Sequence, residues 1–199
     1  MVEHILGKNE IQVQFLVGAP VYKYLMEKYF LELLDFKYPK AELLVYQDSI
    51  NQWKPNVHYN KLGIDTSKDS KWFDFYADIN EPLIKEISNN INLTLENRPY
   101  KFVKTLAGGS LPFHIDPQRE CVLMLPLTDN NAVLQWKDTD DNILCECTYK
   151  GPTVINAKIL HGVPTIEKDR IFLQVNVPCS WDYLLKNYKN IFNLLTKMC

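Results

Sequence analysis

Glycine is scarce in this chain: seven residues among 199, with no internal repeat and no low-complexity stretch. That excludes collagen-like, solenoid and linker-dominated architectures. No run of about 18 apolar residues occurs, which argues against a membrane-spanning helix. The opening residues, MVEHILGKNE, lack the long apolar core of a secretory leader. Charge of one sign is also missing. The net charge is −2 and the pI about 6.1, so no global basic field exists to attract nucleic acid. Arginine is rare, with Arg98, Arg119 and Arg170 the only three among 22 basic residues. Cysteine is present five times, an odd number with no framework spacing, at 121, 145, 147, 179 and 199. Cys145 and Cys147 would share one face of a strand, but no second pair or nearby histidine completes a zinc site. Reduced thiols in a cytoplasmic protein are the expectation. The abundance of Lys, Asn and Ile points to an AT-rich genome, as in many viruses and microbes.

What remains is an ordinary globular balance, 46% hydrophobic and 23% charged. It suffices for one substantial core, and a single domain spanning 1–199 is expected. Residues 11–17 (IQVQFLV) read as a strand. Residues 20–36 read as an amphipathic helix, with Tyr24, Leu25, Met26, Tyr29, Phe30, Leu33 and Leu34 at helical spacing and Pro20 in the first turn. Residues 41–47 (AELLVYQ) suggest another strand. The stretch 48–78 is aromatic and irregular and reads as long loops, a lid or a substrate-facing segment. Residues 80–90 suggest a short helix capped by Asn80.

From residue 100 the texture changes. Short apolar runs recur between turn signals at 100–107, 121–127, 132–136, 143–149, 153–155 and 170–177. This spacing predicts an antiparallel barrel or sandwich. A helical stripe at 181–198 closes the chain. The expected fold is mainly β with flanking helices: helical and loop support over 1–99, a jelly-roll core over about 100–178, and a C-terminal helix. In 170–177, Ile171, Leu173, Val175 and Val177 share one face, suited to packing on helices. Arg170, Phe172, Gln174 and Asn176 share the other, suited to a cavity wall.

The residues that carry chemistry lie in this core. His114-Ile115-Asp116 places an imidazole and a carboxylate two apart, so both can bind one metal. His161, 47 residues on, can return from a neighbouring strand as a third ligand. Two imidazoles and one carboxylate occupy one face of a divalent metal and leave the other positions open. Arg170, nine residues after His161, can hold a carboxylate co-substrate beside that metal. Asn156 to Pro164 (NAKILHGVP) has the glycine and proline to present His161 at a sheet edge. Arg119 could bind a second carboxylate or make a structural contact near the ligand loop. His4 and His58 are the only other histidines.

The arrangement resembles the Fe(II)/2-oxoglutarate-dependent oxygenases, over about residues 100–177. The strings FHIDPQRECVLMLPL and VINAKILHGVPTIEKDRIFLQVNV look most like the prolyl-hydroxylase-like and aspartyl-hydroxylase-like branches. The resemblance implies a double-stranded β-helix (jelly-roll, cupin-like) core. It also implies Fe(II) held by His114, Asp116 and His161, and 2-oxoglutarate and O2 as co-substrates. Arg170 would pair with the distal carboxylate of 2-oxoglutarate. The implied reaction is hydroxylation of a C–H bond with release of succinate and CO2. One position departs from the pattern. Many members carry Ser or Thr two residues after the arginine, and here Phe172 stands there. A second donor would come from Tyr100, Thr105 or Gln174. The substrate stays open among a peptidyl residue, an amino acid and a small metabolite; neither a membrane nor nucleic acid is expected as partner. The alternatives are a cupin-type metalloenzyme that does not use 2-oxoglutarate and a non-enzymatic jelly-roll binding or structural domain.

Overall fold

A computed structural model describes residues 27–56, 71–95, 99–129 and 132–194. Two antiparallel sheets face each other. The larger has seven strands in the order β1-β9-β6-β11-β4-β3-β2, and the smaller has four in the order β5-β10-β7-β8. The strands are β1 (Phe30–Glu32), β2 (Lys54–Pro55), β3 (Trp72–Tyr76), β4 (Tyr100–Thr105), β5 (Leu111–His114), β6 (Cys121–Pro126), β7 (Leu134–Lys137), β8 (Ile143–Cys147), β9 (Thr153–Asn156), β10 (His161–Val163) and β11 (Arg170–Val177). Three helices accompany them: α1 (Lys40–Asp48), α2 (Pro82–Asn89) and α3 (Trp181–Ile191). Among the described residues no helix is long and apolar enough to cross a membrane.

The last eight strands form one long hairpin wound into two layers. The chain runs out through β4 to β7, turns, and returns through β8 to β11. Each returning strand pairs antiparallel with its outgoing counterpart: β7 with β8, β6 with β9, β5 with β10 and β4 with β11. Successive strands otherwise alternate between the sheets. This is a double-stranded β-helix. The hairpin tip is built by Asp138, whose Oδ1 accepts the backbone N–H groups of Asp140 and Asn142, both at 2.9 Å.

Burial on both faces explains the apolar run of β6. Cys121, Leu123 and Leu125 join a helix-side core with Leu43, Ile84, Ile87, Trp181 and Leu184. Val122 and Met124 point the other way, into the core between the sheets with Trp72, Val103, Trp136 and Phe172. β11 divides as its alternation predicts, with Leu173, Val175 and Val177 against the helices and Phe172 between the sheets. Ser180 caps α3, its Oγ accepting from Tyr183 N.

Several local expectations are corrected. In the described part of 20–36, Phe30–Glu32 is a strand paired with β9, not helix. Both faces of that strand meet hydrophobic partners, Phe30 between the sheets and Leu31 on the helix side. Ladder bonds to β9 therefore override the helical spacing. The 41–47 stretch is helix, its inward face marked by Leu43 and Gln47 four residues apart. The supposed loops at 48–78 contain β2 and β3, the latter packed beside β4. The second helix begins at Pro82 after Glu81, without a side-chain cap; Asn80 bonds Asp78 instead. Residues 11–17, His4 and His58 lie outside the described residues, as does the end of the 181–198 stretch, whose helix runs to Ile191.

Candidate metal centre

His114 ends β5 and His161 begins β10, and the two are register partners across the ladder. Forty-seven residues of separation are thus closed by one antiparallel pairing. Gly162 lets the strands approach: a Cβ there would lie 2.9 Å from Leu111 O and 3.0 Å from Phe113 Cγ. The imidazole centroids are 4.5 Å apart. Asp116 lies just past β5, its N–H bonded to Ala157 O at 2.9 Å. One ligand atom from each of the three side chains falls within 4.8 Å of the others, and His114 Nε2 is 3.6 Å from Asp116 Oδ1.

Backbone carbonyls set both tautomers. His114 Nδ1 lies 2.9 Å from Pro112 O, and His161 Nδ1 lies 2.8 Å from Ile159 O. A carbonyl only accepts, so each Nδ1 carries a proton, and in the neutral form of either ring the lone pair is on Nε2. Such partners orient metal-binding imidazoles. Asp116 is held in the same way: Arg119 Nε donates to Oδ2 at 2.6 Å, leaving Oδ1 toward the histidines. Burial pushes the Asp116 carboxyl up, but Arg119's charge and hydrogen bond outweigh it, and the net effect is below the usual carboxylate range. Burial, with His114 beside it, lowers His161 to about 4. At neutral pH His161 is therefore a neutral imidazole and Asp116 a carboxylate, the protonation states that bind a cation.

The inner face of the larger sheet is best followed rung by rung along the register. The first rung is Trp72–Thr105–Arg170, the second Asp74–Val103–Phe172, the third Tyr76–Lys101–Gln174–Met124, and the fourth Asn176–Val122. Arg170 is only 2% exposed. Its Nε donates to Thr105 Oγ1 at 3.4 Å and one Nη to Tyr149 Oη at 3.3 Å. Trp72 and Phe172 flank the guanidinium, centroids 5.0 and 5.1 Å away. Among the described residues no carboxylate pairs with it. Neighbouring Asp169 instead accepts from Ala107 N at 2.7 Å.

The other candidates separate on this frame. Thr105 stands beside Arg170. Tyr100 does not: it lies in the helix-side core, its hydroxyl 2.6 Å from Ser88 Oγ, and so cannot donate to a ligand held by Arg170. Gln174 stands four residues beyond Arg170, about 13 Å along the strand, too far to share one carboxylate. Arg119 is occupied with Asp116. The sequence reading missed Tyr149, Trp72 and the buried pair of Lys101 Nζ with Asp74 Oδ2 at 3.5 Å. A buried-facing position for Lys101 was readable from alternation in β4, had Val103 and Thr105 been set against it.

No protein-family model matches the chain, and no curated protein does. Solved structures do. An oxidoreductase of the 2OG-Fe(II) oxygenase family from Burkholderia pseudomallei is 14% identical, with a TM-score of 0.52 over 79% of this chain and 89% of its own. A Pseudomonas putida prolyl-4-hydroxylase is likewise 14% identical, with a TM-score of 0.51 over 73% and 90%. The fold is thus the jelly roll found in 2OG-Fe(II) oxygenases. Within it, the His114–Asp116–His161 cluster has the composition and convergence of a metal-binding triad.

Proposed function

We propose that this chain is an Fe(II)- and 2-oxoglutarate-dependent dioxygenase that hydroxylates a C–H bond of a peptidyl residue, an amino acid or a small metabolite. The observation that carries this reading is Arg170: a cation buried between the sheets without an acidic partner among the described residues, on the sheet that faces the one bearing His114 and His161. A buried cation of this kind is strongly disfavoured until an anion meets it.

The residues fit the groups. His114 Nε2, His161 Nε2 and Asp116 Oδ1 would hold the metal on one face. Arg119 keeps the second oxygen of Asp116 engaged, so Oδ1 is the oxygen that would be offered to the metal. Arg170 receives the distal carboxylate of 2-oxoglutarate, and the Thr105 and Tyr149 hydroxyls beside it take the place of the Ser or Thr absent at Phe172. Trp72 and Phe172 exclude water and strengthen that ion pair. Iron, 2-oxoglutarate and O2 together supply the oxidation: one oxygen atom enters the substrate C–H bond as hydroxyl, the other enters succinate, and CO2 leaves. A reducing, cytoplasmic setting suits both a ferrous site and the free thiols of Cys121, Cys145, Cys147 and Cys179.

The test is succinate release from 2-oxoglutarate by protein supplied with Fe(II) and ascorbate. Turnover lost in His161→Ala together with stoichiometric metal binding supports the assignment. Retained iron binding in that variant, or no succinate from the parent protein, overturns it.

A further inference from the structure

The metal-proximal end of the cavity floor is polar, and neither the triad nor the carboxylate site uses it. Lys101 on β4 and Gln174 on β11 are direct cross-strand partners, with Asn176 one rung further. Lys101 is 9% exposed and Gln174 8%. Asp74 Oδ2, at 3.5 Å, is the one hydrogen-bond partner of Lys101 Nζ among the described residues. Ammonium groups carry three donors, so Lys101 has some to spare. Gln174 Nε2 lies 3.9 Å from Met124 Sδ. A thioether has no proton to give, so the amide N–H end faces it and Oε1 turns away. That Oε1 and Asn176 Oδ1 are buried without a partner. Buried acceptors are rarely left so unless a ligand or water supplies a donor. A cavity of about 310 Å³ is lined by Asn176 and Arg119 but by neither Lys101 nor Gln174, so it adjoins only the Asn176 end of this floor.

Resting on the dioxygenase reading, we propose that Lys101, Gln174 and Asn176 form the floor that recognises the substrate, and that this substrate is an amino-acid unit. Its N–H groups meet the two amide oxygens, and its carboxylate or carbonyl oxygen meets Lys101. Directly opposed residues in an antiparallel pair have Cβ atoms about 5 Å apart. Their polar ends can therefore take two groups separated by a single carbon, as the nitrogen and carbonyl of an amino acid are. An apolar substrate would leave both amide oxygens desolvated and unpaired, and Lys101 with Asp74 alone. The unit is either free or set within a peptide, and the chemistry is shared.

The experiment has two readouts. One is succinate release above the substrate-free rate with Fe(II), 2-oxoglutarate and ascorbate. The other is the thermal shift of the Mn(II)- and 2-oxoglutarate-loaded protein, which reports binding without turnover. The probes are free L-amino acids, N-acetyl amino-acid methylamides, octanoate and glucose. Activity and a thermal shift with at least one amino-acid probe are expected. The free and N-acetylated arms distinguish a metabolite from a residue in a chain. Gln174→Leu should raise the half-saturating concentration of that probe about tenfold, and that of 2-oxoglutarate less than about twofold. Asn176→Leu, at a less buried position, gives the same comparison if Gln174→Leu does not fold. Stimulation by octanoate or glucose alone, or a larger effect on 2-oxoglutarate than on the probe, overturns the proposal. No succinate in any arm defeats the dioxygenase reading. The thermal shifts then decide the floor separately: an amino-acid shift abolished by Gln174→Leu upholds it, and no shift sinks it.

Discussion

Replacing Arg170 with methionine should separate ligand binding from stability in an unusual direction. The guanidinium is 2% exposed and has no carboxylate partner among the described residues. Burying such an ion costs several kcal/mol. Against this stand two ring contacts at 5.0 and 5.1 Å, worth about 2 kcal/mol each when desolvated. Two long hydrogen bonds, at 3.3 and 3.4 Å, add about 1 kcal/mol or less apiece. The terms nearly cancel. Arg170→Met should therefore leave the ligand-free protein as stable as before or up to about 2 kcal/mol more stable, a gain of at most about 8 °C in Tm for a chain of this length. Binding of 2-oxoglutarate should behave oppositely. Loss of a buried charge-assisted pair costs 2–5 kcal/mol, or about 30-fold to several thousand-fold in affinity. Scanning calorimetry with Mn(II), with and without 2-oxoglutarate, measures both. A 2-oxoglutarate shift preserved in the variant, or a ligand-free Tm that falls sharply, would refute the argument that this cation awaits an anion.

Other substitutions probe the rest of the site. Gly162→Ala should force β10 away from β5, because its Cβ would meet Leu111 O at 2.9 Å; titration should show metal affinity lowered by about tenfold or more. Unchanged affinity would mean that the histidine pair does not depend on this close approach. Tyr100→Phe should cost about 1 kcal/mol by chemical denaturation, through the lost Ser88 bond, yet leave 2-oxoglutarate affinity intact. A weakened affinity would return Tyr100 to the cavity. Metal-free protein should lose stability as pH falls from 6.5 toward 4. The unfolded chain protonates His161 at its ordinary value, whereas the folded protein resists until about 4, so the unfolded state binds more protons across that window. The loss should approach roughly 3 kcal/mol, and His161→Asn should flatten the profile; an equally steep profile in the variant would contradict the burial argument.

The jelly roll was legible because four of its core strands are long and doubly or alternately buried, as in the run of β6 and the alternation of β11. The short strands that carry the histidines were not. β5 has four half-buried residues including Pro112, and β10 has three, too few for a period to show. α1 was misread because it buries only Leu43 and Gln47, too few for its period to show, and β1 because both of its faces are buried, which erases alternation. The histidines, aspartate and arginine could be named because their types and order carry chemical meaning. Their partners could not. Tyr149 and Trp72 reach Arg170 only through the register of other strands. Asp74, the partner of Lys101, lies 27 residues before it, on a strand that looked like loop. Phe172 marked a missing donor, but only the rungs of the sheet show which hydroxyls stand at that level.

The folded-back path of the last eight strands carries a consequence for assembly. A single cut at the Asp138–Asn142 tip would leave His114 and Asp116 on one polypeptide and His161 and Arg170 on the other. Neither fragment alone would own a complete coordination set, so cation capture would report on reunion of the two halves. Severed there, the chain becomes a two-component sensor of its own strand pairing.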